Sequence, residues 1–379
     1  MRLKHCLSID DLRLAAMRRA HRMVFDYIDG GADDEHAIKN NHAAFSDYDV
    51  LHKVLVGVDD VSTETSILGQ KIATPVLTAP AAGNRLFHKD GEIAVARAAA
   101  RHGTIYSLST LSSFSIEDVA RATHGPKWFQ LYVWKDRGLV REMMQRARAA
   151  GYSALILTVD FPVTGNRERD PRNGFTIPPR TGVKQAWEAI KSPFWTFDYV
   201  SSPAIRYANL SQDTPAVSLS DFVANQLNAG FDWSDAEWLL GEWSGKSIIK
   251  GVVRTDDAQR AVKTGFDAIT ISNHGGRQLD SSPASIHVLP EISGAVQGDA
   301  ELILDGGIRR GTDIIKALAL GARAVSIGKA YLYGLAAAGE DGVDFALSHL
   351  TESVRRDMAL AGARSIGSID KSMVVARKH

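Results

Sequence analysis

Residues 301–329 read ELILDGGIRRGTDIIKALALGARAVSIGK. The apolar run ELIL ends in Asp-Gly-Gly. GTDIIKALALGA follows with helical spacing of its apolar residues, and a second apolar run, AVSI, ends in Gly-Lys. Both runs are continuous rather than alternating, as expected of strands covered on both faces. A strand, a helix and a strand in so short a stretch imply parallel strands joined by a crossover.

Outward from this stretch the same unit recurs. ATPVLTAPA (residues 73–81) precedes GEIAVARAAARHG, TIYSLST precedes SIEDVARATHG, and KWFQLYV precedes KDRGLVREMMQRARAAG. SALILTVD, SIIKGVV and DAITISN complete the set. Eight such units predict an α/β fold, a closed TIM (β/α)8 barrel. An open doubly wound sheet would carry GxGxxG at its first helix, and GQKIATPVLTAPAAGNR does not. We read residues 1–379 as one domain, with a segment of helices and loops at 1–70 and the barrel at 71–379. In SIDDLRLAAMRRAH, Ser8 is an N-cap candidate, with Asp11 at the third position of a capping box. Residues 161–232 form a long insertion after the fourth strand; on a barrel it leaves the C-terminal rim, where active sites sit.

Composition narrows the function. Of 379 residues, 45% are apolar and 23% charged, which fits a folded globular chain. Lys plus Arg and Asp plus Glu stand at 44 each, which speaks against a general nucleic-acid partner. The one cysteine, Cys6, excludes an internal disulfide and fits a reducing compartment. MRLKHCLSIDDLRLAAMRR lacks a secretion signal's apolar stretch, so a cytoplasmic location is expected.

The strand exits carry the chemistry. They present Ala82, Ser109, Gln130 with Tyr132, Thr158 with Asp160, Lys250, Ser272 with His274, Asp305, and Gly328 with Lys329. Any one of these suits a turn or a helix cap; together on one rim they point to a shared pocket. Lys250, inside the apolar SIIKGVV, needs an anionic partner or a shifted pKa, and we read it as a fixed positive charge beside an electron-accepting cofactor. Gly306, Gly307 and Gly328, with Arg309 and Lys329, close strands seven and eight, where barrels often bind phosphate. His274 has Arg277 close by, whose planar fork suits a carboxylate. Asp160 faces it from the fourth strand and would orient the imidazole. These describe a base acting on a carboxylate-bearing substrate. No Cys/His cluster or GxSxG elbow supports a zinc site or a serine hydrolase, so no metal is expected.

FDYIDGGADDE, WFQLYVWKDR, LTVDFPVTGNRERD, IIKGV, SNHGGRQLD (residues 272–280), LDGGIRRGTDIIKALALGA and IGK run through nearly the whole chain. They resemble the FMN-dependent α-hydroxy-acid oxidases and dehydrogenases, SNHGGRQLD most specifically. The resemblance implies oxidation of an (S)-2-hydroxy acid to the 2-keto acid, with electrons passing to FMN. His274 would be the base and Asp160 its support. Arg277 and Arg167 would hold the substrate carboxylate, and Tyr132 and Tyr27 its hydroxyl and carboxylate. Lys250 would lie at the flavin N1 and O2 edge. Pro80, Ala81, Ala82, Ser109, Gln130, Thr158 and Ser272 match flavin-contacting positions; Asp305, Gly306, Gly307, Arg309, Gly328 and Lys329 match the ribityl and phosphate site. Lys329 departs from the family's usual arginine, keeping the charge and losing the fork.

Leu111 stands where glycolate oxidase has a tryptophan, which leaves room for lactate, the expected substrate, or for mandelate or a longer-chain acid. Residues 184–210 resemble a segment of the membrane-associated members. Trp187, Phe194, Trp195, Phe197 and Tyr199 interleave there with Lys184, Lys191 and Arg206, which suits peripheral contact with the inner membrane as well as a rim lid or subunit contact. The expected acceptor is then a quinone, with oxygen, giving hydrogen peroxide, as the alternative. The resemblance also implies a homotetramer.

Overall fold

A computed structural model describes residues 3–175, 182–210 and 226–377. Eight parallel strands close into a barrel: β1 (Val76–Thr78), β2 (Tyr106–Ser109), β3 (Lys127–Leu131), β4 (Ala154–Thr158), β5 (Lys246–Val252), β6 (Ala268–Ile271), β7 (Glu301–Asp305) and β8 (Ala324–Ile327). β8 pairs with β1, which seals the ring. Nearly every strand residue is buried, and this explains the unbroken apolar runs. Inside the barrel the bulky Trp128 packs among small and branched neighbours, Ala154, Ile156, Ile248, Ala268 and Ala324. Large and small residues thus share the interior, filling it as a core rather than leaving a pore.

Three helices, α1 (Ile9–Arg19), α2 (Arg22–Asp29) and α3 (His36–Ala43), precede the barrel. Ser8 caps α1 by accepting from Asp11 N at 3.1 Å, while the Asp11 carboxylate returns to Leu7 N, one residue earlier than a regular capping box. The N-terminal segment is not only helices and loops. Tyr48–Val50 pairs antiparallel with Val374–Ala376, and Thr65–Ile67 forms a hairpin with Gln70–Ile72. Both are short. One has its partner at the far end of the chain, and the other turns through Leu68 and Gly69 at φ 50° and 78° without an Asn-Gly signal. Ile67 and Ile72 of the hairpin join the barrel's interior cluster.

Within 161–232 the described parts include the short helix Arg169–Arg172, α4 (Val183–Lys191) and α5 (Pro193–Val200). Trp195 is not an interface residue: it is buried, donates its indole N–H to Leu86 O at 2.7 Å and stacks on Tyr199. Trp187, Phe194 and Phe197 do face solvent, together with Ile190 and Val200. The Lys184 side chain lies outside the described residues. The chain then returns beside the β3 exit, where Asn228 N donates to Val133 O.

Candidate active site

The site grows from the exit of β6. His274, Gly275 and Gly276 take three successive left-handed conformations, φ 58°, 62° and 74°. For a histidine this is strained backbone, and such strain concentrates at functional positions. A Cβ on Gly276 would lie 2.7 Å from Ile38 N of α3, so the second glycine is what lets this loop lie against α3. His274 Nδ1 sits 2.8 Å from Asp160 Oδ1. A carboxylate can only accept, so Nδ1 carries the hydrogen and Nε2 is left as the lone-pair nitrogen. Asp160 reaches this position because β5 is irregular after Lys250: at Gly251, φ 109°, a Cβ would stand 2.5 Å from Asp160 Cγ. Burial alone would raise the Asp160 pKa, but the interaction with His274 and the Lys250 charge outweigh it and hold the carboxyl low. Burial pushes His274 below its ordinary value against the pull of Asp160. The resting pair is therefore a neutral imidazole on a carboxylate, as a base requires.

Lys250 is buried and still charged. Burial opposes its proton, but Asp160 and Asp305 outweigh burial and raise its pKa. Its Nζ lies 3.4 Å from Asp305 Oδ2 and donates to Ser272 Oγ at 3.2 Å, while Ser272 Oγ donates to Asp305 at 2.8 Å. The anionic partner that a lysine in an apolar strand needs is thus Asp305, across two neighbouring strands.

Two arginines close the other side. Arg277 Nη1 donates to Tyr27 O at 2.5 Å and to Gly30 O at 3.1 Å, at the C-terminal end of α2, where helix carbonyls favour cations. Its guanidinium lies 4.7 Å from the centre of the Tyr27 ring. Arg167 donates to Arg277 O and to Gln278 Oε1, which fixes it beside its neighbour. A cavity of about 300 Å³ contains Tyr27, Leu111, Tyr132, Arg167, His274 and Arg277 in its wall. Its wall also includes Pro80, Ala81, Ala82 and Lys250, and at the far end Asp305, Gly306, Gly307, Arg309, Gly328 and Lys329.

Ser109, Gln130, Thr158, Asp160 and Ser272 do not line this cavity; Asp160 and Ser272 bond to His274 and Lys250, which do. Ser109 Oγ donates to Gln130 Oε1 at 3.0 Å, leaving Gln130 Nε2 buried without a partner, as is Thr158 Oγ1. Unpartnered buried polar atoms are costly unless a ligand satisfies them. At the far end Lys329 Nζ donates to Gly30 O, and burial together with Arg277 and Arg309 holds its pKa well below the ordinary lysine value. An end so crowded with cations needs an anion. An unpartnered amide donor and hydroxyl at the ends of β3 and β4, a lysine charge in the cavity wall, and a cationic glycine-lined end fit FMN.

Sequence reasoning missed further wall residues: Asn41 and His42 from α3, and Phe161, Asp170, Phe175 and Tyr207 from the insertion. Phe161 sits between Tyr132 and His274, ring centres 5.0 and 5.8 Å away. It directly follows Asp160, and that adjacency was the one available signal. Asn41 and His42 belong to an otherwise ordinary polar helix and give none.

The FMN-dependent dehydrogenase family model matches residues 16–376, and the chain belongs to that family. It is an FMN-dependent 2-hydroxy-acid dehydrogenase or oxidase. An L-lactate oxidase of Nostoc sp. is 46% identical, the match covering 97% of this chain and 98% of that protein. An L-lactate dehydrogenase of Pectobacterium atrosepticum is 41% identical, covering 96% of each. Among solved structures, the monotopic membrane protein (S)-mandelate dehydrogenase superposes with a TM-score of 0.95 at 37% identity, covering 98% of this chain and all of that one.

Proposed function

We propose that the protein oxidises L-lactate, or a closely similar (S)-2-hydroxy acid, to the 2-keto acid, and that the electrons leave for a quinone at a membrane surface. The observation that carries the reading is the His274–Asp160 pair, 2.8 Å apart, in one cavity with Arg277 and Arg167. The arginines bind the substrate carboxylate, and Tyr132 and Tyr27 contact the reacting end. His274 Nε2 takes one of the two protons that the oxidation releases, and Asp160 stabilises the imidazolium. Bound FMN supplies the acceptor for the two electrons. Gln130, Thr158, Ser109, Ser272 and the Pro80–Ala82 turn hold its ring system. Lys250 offsets negative charge there, and Gly306, Gly307, Arg309, Gly328 and Lys329 hold its phosphate.

Leu111, buried at the cavity wall, supports a small aliphatic substituent. The exposed Trp187, Ile190, Phe194, Phe197 and Val200 support membrane contact. Among the described residues no helix is long and apolar enough to cross a membrane, so the contact would be peripheral. The 46% identical lactate oxidase favours a second reading, in which oxygen is the acceptor and hydrogen peroxide the product. Anaerobic flavin reduction by a panel of 2-hydroxy acids, followed by reoxidation with oxygen or a quinone analogue, separates the two. Fast reduction by L-lactate and reoxidation mainly by quinone is the expected result; rapid peroxide formation under air would select the oxidase.

A further inference from the structure

His42 lies in the last turn of α3 and forms part of the cavity wall at the end that holds Gly307, Arg309 and Lys329. Its Nδ1 is 3.1 Å from Gly307 O. A carbonyl only accepts, so Nδ1 carries the hydrogen and Nε2 of the neutral ring has a lone pair and no proton. The position is well fixed. Asn41 and Asn273 exchange reciprocal hydrogen bonds at 2.8 and 2.9 Å, and a Cβ on Gly307 would come within 1.9 Å of Asn41 O. A phosphate oxygen beside a lone-pair nitrogen is repelled, and beside an N–H it is bound.

We propose that His42 gains a proton at Nε2 as the FMN phosphate enters, so that cofactor binding is coupled to proton uptake. This rests on the phosphate lying at the Arg309–Lys329 end. The charges facing His42 are Arg309 from the β7 loop, Lys329 from the helix after β8, and Asp10 from α1. Without the phosphate, desolvation of the cavity-facing side of the ring and then Arg309 lower the imidazole pKa, with Lys329 adding to this and Asp10 opposing it, while the residue keeps an exposed side. A dianion among these cations reverses the balance, and the C-terminal position on α3 favours the charged ring as well.

The test follows FMN release from the diluted holoenzyme by flavin fluorescence between about pH 5 and 8. The phosphate's own ionisation, with a pKa of about 6, strengthens binding as pH rises and is common to every variant. Relative to His42→Gln, the wild type is expected to lose affinity with rising pH, by up to about tenfold per unit. His42→Arg, permanently charged, is expected to retain tight binding at the alkaline end, and it keeps the idea testable should the glutamine disturb α3. Parallel pH curves for wild type and both variants would overturn the proposal. Lys329→Gln separates the underlying reading: if it leaves FMN retention unchanged at every pH, the phosphate placement fails, and the role of His42 with it.

Discussion

At the residue scale the reaction depends on one tautomer. In the proposed role of base, His274 depends on Asp160 accepting the hydrogen bond from Nδ1–H and on burial keeping the ring neutral. Its pKa is lowered, so kcat/KM should stay flat near neutrality and fall as pH drops through a value below about 6.5, the ordinary histidine figure. An acidic limb centred above that value would contradict the assignment. Asp160→Asn should slow turnover by about 10²- to 10⁴-fold, since the amide can donate to Nδ1 and select the wrong tautomer; steady-state rates on flavin-loaded protein check this. The pair was legible in the sequence because both residues end strands in runs dense with polar residues. The partner of Lys250 was not: Asp305 lies two strands away, and only the side-by-side pairing of β5, β6 and β7 brings them together.

At the scale of elements, the N-terminal helices form part of the site. The C-terminal end of α2 accepts from Arg277 and Lys329, and α3 rests on the glycines of β6 and β7. Gly307 has φ 81°, and its missing Cβ would overlap Asn41 O. Gly307→Ala should therefore displace α3, weaken FMN retention and destabilise the protein by about 3 kcal/mol or more, read from flavin release and the thermal midpoint. Asp29 joins α1, α2 and the insertion through Arg13 at 2.5 Å and Arg169 at 3.0 Å. Burial works against its carboxylate, yet hydrogen bonds from Arg13 and Tyr333 hold the pKa at about 2. The folded value lies below the unfolded one of about 3.9, so this stability, about 2 kcal/mol, is present above that pH and lost as pH falls through about 2. Asp29→Asn should flatten the acid arm of a urea-midpoint profile; an unchanged arm would remove the network from the account. The barrel repeats were legible as runs with helices between. The α3 contacts were not, because they depend on close backbone approach, which leaves only scattered glycines in the sequence.

At the scale of the whole molecule, the barrel presents its chemistry on one rim, and the insertion carries an exposed apolar face. Phe194 and Phe197 are 72% and 69% exposed on α5. Under the proposed membrane contact, replacing both with serine should lower vesicle co-sedimentation at least about tenfold, since an aromatic side chain buried in lipid contributes about 1.5–3 kcal/mol. Turnover with a soluble dye should be unaffected. Aromatic content suggested this face in the sequence, but only packing separates the buried Trp195 from its exposed neighbours. The central claim, that His274 drives oxidation of an L-2-hydroxy acid, is tested most directly by anaerobic stopped-flow bleaching of the flavin. Wild type should bleach with L-lactate and not with D-lactate. His274→Gln, with matched flavin content, should bleach at least about a hundredfold more slowly. Equal bleaching by both enantiomers, or an unchanged rate in His274→Gln, would contradict the claim.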